Sequence, residues 1–89
     1  MDPESREIIV GLQQLIDRWC GHRRIMPLVR LLPAYVAFDD LPDSWIALCE
    51  ALKDTQSLGP SAFNEVEWKK IKELIAATQK RARAGAVTA

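Results

Sequence analysis

Residues 25–38 read IMPLVRLLPAYVAF, fourteen positions with one charge, Arg30, and two prolines, Pro27 and Pro33. A helix that crosses a bilayer needs roughly 20 apolar residues, so this stretch belongs at the centre of a small folded domain. Pro27 can open a helical turn, and Leu28, Leu31, Leu32 and Tyr35 keep a helix-like spacing. Pro33 removes a backbone donor and disfavours helix at Leu32, which predicts two short turns and a kink. On a helical wheel Arg30 lies nearly opposite Leu28 and Leu32, so its guanidinium is expected outside. Two readings follow: a bent, fully buried plug, or a segment shared between the core and a partner.

The flanking sequence is amphipathic. Before the stretch, Ile8, Leu12, Leu15, Ile16 and Trp19 share one helical face, with Ile9 and Cys20 at its edge. Asp2-Pro3-Glu4 is a helix start: Asp2 as cap, Pro3 at the first helical position, Glu4 at the positive end of the dipole. Gly21 is the expected stop. Gly11, inside the helix, costs ~1 kcal/mol against alanine and marks either a helix passing close by or nothing at all. After the stretch, Asp40 is the expected cap of a helix carrying Trp45, Leu48, Cys49 and Leu52, which Gly59-Pro60 terminates. The last helix has the clearest start: Asn64 and Glu67 stand at capping-box spacing, with Phe63 and Trp68 at the hydrophobic-staple positions. Trp68, Ile71, Leu74 and Ile75 are its expected buried face. Lys80, Arg81 and Arg83 suit its negative end before Gly85.

Together these features predict an all-α fold: a small bundle of three long helices, about 4–20, 41–56 and 65–83, plus a short proline-kinked helical segment. At 89 residues the chain is one domain, residues 1–85, with 86–89 as a frayed tail. Trp19, Trp45 and Trp68 fall one in each long helix and are the expected core anchors.

The formal net charge is zero, which removes a global electrostatic case for nucleic acid or anionic membrane. Locally the charge is segregated. Residues 18–30 hold four arginines and no acid, 39–67 seven acids and Lys53, and 69–83 six bases and Glu73. Such blocks are expected mainly to pair on folding or to remain solvated.

Chemistry-bearing constellations are scarce. His22 is the sole histidine and lies near Cys20, without an oxyanion site or pocket-forming loop to complete a nucleophilic pair. Cys20, His22 and Cys49 do not make a metal set, and the two thiols read as core residues on facing helices. The acids Asp39, Asp40 and Asp43 lack the pattern of a calcium loop, and the isolated glycines make no phosphate loop. No enzyme, cofactor or metal is expected. Two cysteines and the start MDPESREII predict a cytoplasmic, reduced protein with no membrane segment.

What remains is binding. Arginine and aromatic side chains are favoured interface anchors, and Arg23, Arg24, Arg30 and Tyr35 cluster around the apolar stretch, with Asp39 and Asp40 at its far end. These six are the candidate protein-binding residues. The expected role is that of an inhibitor, adaptor or regulator of another protein, with self-association as a homodimer a further outcome. The alternative is nucleic-acid regulation through the basic stretches 18–30 or 69–83. Against it, the connections of about seven residues are longer than the 3–4-residue turn of a helix-turn-helix. In size and composition the chain is similar to small bacterial all-helical proteins, among them toxin-neutralising and phage-encoded inhibitors. That likeness of class carries no residue roles.

Overall fold

The structure, a computed structural model, describes residues 3–87, with side chains through Ala84. Among these residues it is a helical bundle: α1 Pro3–Gly21, α2 Ile25–Val36, α3 Pro42–Gln56 and α4 Glu65–Val87, with one turn of 3-10 helix at Pro60–Ala62. The molecule measures 38 × 20 × 20 Å. The expected cap Asp2 lies outside the described residues, as do 88–89 of the expected tail. Gly85 does not stop α4, which continues through Val87.

Each helix is there for a legible reason. The stripe predicted on α1 is the buried one: Ile8, Leu12, Leu15, Ile16 and Trp19 all enter the core. Its end is a Schellman motif, in which the Arg24 amide bonds to the Trp19 carbonyl at 2.7 Å and the Arg23 amide to the Cys20 carbonyl at 3.2 Å. The left-handed position of that motif, usually a glycine, is taken by Arg23 at φ 53°, while Gly21 remains helical. Gly11 marks a close crossing, the first of its two expected readings. An added Cβ there would meet Leu74 Cδ2 and Lys70 Cε of α4, each at 3.2 Å.

The start of α4 is closed as the sequence predicts. The Asn64 amide donates to Glu67 Oε1 at 3.0 Å and the Glu67 amide to Asn64 Oδ1 at 2.7 Å. Phe63 and Trp68 stack at 6.1 Å between ring centroids. The buried face of α4 is rotated from the expected one, however. It runs through Glu67, Ile71, Leu74 and Thr78, leaving Trp68 and Ile75 half-buried. Trp19 and Trp45 are core anchors; Trp68 closes the edge with Lys72 Nζ 5.5 Å from its ring centroid.

Asp40 does not cap α3. The cap position is Leu41, without a side-chain bond, and Pro42 is the first helical residue. Asp39 Oδ1 accepts instead from the Leu41 amide at 3.2 Å, and Asp40, at φ 63°, accepts from Trp45 Nε1 at 3.2 Å. Trp45 thereby pins the α2–α3 connection, with Phe38 edge-on at 4.8 Å and the Arg81 guanidinium of α4 over its ring at 5.5 Å. After α3, Gly59 turns the chain at φ 95°, a value only glycine adopts without strain.

The largest correction concerns residues 25–38. The segment is a single helix that runs through Pro33, and it is no plug: α1, α3 and α4 build the core, to which α2 adds Leu31 as its one fully buried hydrophobic side chain. α3 and α4 lie along each other, α2 packs against both α3 and α1, and α1 also touches α4. The inward side of α2 buries Pro27 and Leu31 and partly covers Leu28, Leu32, Ala34 and Tyr35, which leaves its other side open.

Candidate functional site

α2 therefore carries an apolar face that the fold leaves open. Pro27 and Leu31 point into the core and the far side of the helix faces solvent, with Ile25 at 66%, Val29 at 63% and Val36 at 74% exposure. Met26 is exposed at the same end. Together with Leu28, Leu32, Pro33 and Ala37, Val29 and Val36 make a shallow, almost wholly apolar surface along α2. A hollow of about 360 Å³ opens at the start of α2, where Arg23, Arg24, Ile25 and Met26 meet Leu58 and Ala62. Isolated exposed hydrophobics are ordinary on protein surfaces; a contiguous row on one helix face is not.

The six residues singled out from the sequence are placed unevenly. Arg23 and Arg24 sit at the N-terminal end of α2, and neither side chain has a hydrogen-bond or ion-pair partner among the described residues. Asp39 and Asp40 lie beyond its C-terminal end, both exposed, each with one carboxylate oxygen used locally. Tyr35 is half-buried and packs on the core. Arg30 is not on the open face: its Nη1 donates to Asp54 Oδ1 of α3 at 2.8 Å, and its Nε is buried without a partner. Its guanidinium stays partly exposed, as the wheel has it, but Leu28 and Leu32 flank the open face, which puts Arg30 on the border with α3 and away from that face.

The residues that make the open face were not among the candidates. Their signal was present, since Ile25, Val29, Leu32 and Val36 recur at steps of four, three and four. Without a polar back to orient the helix, that row could not be told from the inward one.

Part of the segregated charge pairs internally. Arg18 bonds Glu67 at 3.1 Å, Arg30 bonds Asp54, and Lys80 lies 3.8 Å from Glu4. Glu67 is the most enclosed of these. Burial would raise its pKa, but the Asn64 amide, the Trp19 indole and the Arg18 guanidinium outweigh that and hold it below the usual carboxylate range. Cys49 is buried as expected; Cys20 is exposed rather than in the core, and both thiols are free. Among the described residues there is no cluster of three metal-ligating side chains, and no helix is long and apolar enough to cross a membrane. No protein-family model, curated protein or solved structure matches this chain.

Proposed function

We propose that this chain is a non-enzymatic binding protein, an inhibitor, adaptor or regulator, that docks on another protein through the outer face of α2. One observation carries the reading: Ile25, Met26, Val29 and Val36 of α2 are each more than half exposed, with the half-buried Leu28 and Leu32 beside them. Such a face is stabilised by being covered, because each buried methylene contributes about 0.8 kcal/mol. The unpaired Arg23 and Arg24 at its rim are of a type enriched at protein interfaces.

The nucleic-acid reading has less support. Of its basic residues, Arg18, Arg30 and Lys80 are in ion pairs, Lys72 and Arg81 lie over tryptophan rings, and Lys70 covers Gly11. Affinity capture from the source cell with the natural chain and with Val29→Glu separates the two. A protein recovered by the natural chain and lost with the variant is the expected result. Recovery of nucleic acid alone, with affinity falling steeply as salt rises, would overturn the proposal.

A further inference from the structure

Resting on that reading, we infer that the protein covering the α2 face is a second copy of this chain, its α2 packed antiparallel across a two-fold axis.

The charges around α2 point to this occupant. Arg23 and Arg24 stand at its N-terminal end and Asp39 and Asp40 just past its C-terminal end. Each set stands at a junction that suits a neighbouring helix, the arginines just past the C-terminal end of α1 and the aspartates just before the start of α3. Opposite charges are thereby held at the two ends of the open α2 face, and α2 itself has no acid in its first turn and no base in its last. Turned end for end, a second α2 presents its acids to the first copy's arginines, its arginines to the first copy's acids, and an opposed dipole along the contact. A single surface that is its own complement after a two-fold rotation is what an isologous dimer requires.

The apolar row has the same symmetry. Its steps of four, three and four residues are those of a helix–helix seam. In antiparallel register Ile25 faces Val36 of the second copy and Val29 faces Leu32, with the axis between Arg30 and Leu31. At 1.5 Å per residue this brings Arg24 and Asp39 of opposite copies within about one turn along the axis, inside the reach of an arginine side chain. Zero net charge leaves no long-range repulsion between copies.

Sedimentation equilibrium of the full chain from about 1 μM to about 1 mM tests the inference. The expected result is a monomer–dimer equilibrium with a limiting mass twice the 10.0 kDa of the chain and midpoint in the micromolar range, as suits a small interface. Val29→Glu should weaken it at least ~30-fold with unchanged circular dichroism; Val36→Lys, at an equally exposed position, serves if the first variant unfolds. Arg24→Glu and Asp39→Lys should each weaken self-association roughly 10-fold, and their equimolar mixture should recover it to within about 3-fold of the natural chain. A strict monomer at 1 mM, a dimer indifferent to both apolar variants, or a mixture that does not recover would each overturn the inference. The docking role is judged separately: a monomer whose capture of another protein is lost with Val29→Glu sinks self-pairing alone, and capture indifferent to Val29→Glu sinks the docking face itself.

Discussion

Replacing Glu67 by alanine should cost about 2–4 kcal/mol, a large share of the 5–15 kcal/mol that holds a domain of this kind together. The side chain is 3% exposed, and three donors converge on it: Trp19 Nε1 at 3.0 Å, Arg18 Nε at 3.1 Å and the Asn64 amide at 3.0 Å. Trp19 is fully buried, so its indole loses its acceptor with no water to replace it, a loss of about 1–3 kcal/mol. Losing half of the capping box adds about 0.5–1 kcal/mol. The Arg18 pair adds little, because that side chain is 47% exposed and screened. Urea melts followed by far-ultraviolet circular dichroism measure the total, and the melting temperature should fall by roughly 10–25 °C. Trp19→Phe in both backgrounds completes a double-mutant cycle, with a coupling of about 1–2 kcal/mol expected. A Glu67→Ala cost under ~1 kcal/mol at unchanged urea dependence would refute the assignment of this carboxylate as the tie between α1 and α4.

The same group sets a pH dependence. Its folded-state pKa is depressed, so its stabilisation is fully present above the ordinary glutamate value of about 4.3 and is lost as pH falls through the lower folded value. The stability difference between the natural chain and Glu67→Gln should therefore be constant above about pH 5.5 and shrink in acid. A difference that grew on acidification would contradict the depressed value.

Arg30→Ala should cost about 0.5–1.5 kcal/mol, since its partner Asp54 is 56% exposed and the pair is screened; a loss above 3 kcal/mol in a thermal melt would mean the pair is effectively buried. Gly11→Ala gains up to about 1 kcal/mol of helix propensity but crowds Leu74 and Lys70, so a net change within ~1 kcal/mol is expected, whereas Gly11→Leu should lose more than ~2 kcal/mol by denaturant titration. A thiol reagent should modify Cys20 at once and Cys49 only as the chain opens, which mass spectrometry over time resolves.

What could be read from the residues alone was whatever nearest neighbours along the chain decide. The all-α class, the α1 stripe, the Asn64–Glu67 box with its Phe63–Trp68 staple and the turn at Gly59 depend on interactions spanning a few residues, and each stands where periodicity and capping chemistry put it. Glu67 illustrates the limit. Its capping role is local and was legible, but its burial depends on Trp19 and Arg18, almost fifty positions away, and no local rule brings a carboxylate into a core. α2 illustrates it more sharply. A helix with a polar back announces which side goes in. A helix with almost no polar side does not, and its orientation is set by how it packs against α1 and α3. That packing, settled in three dimensions, left residues 25–38 with one apolar face to spare.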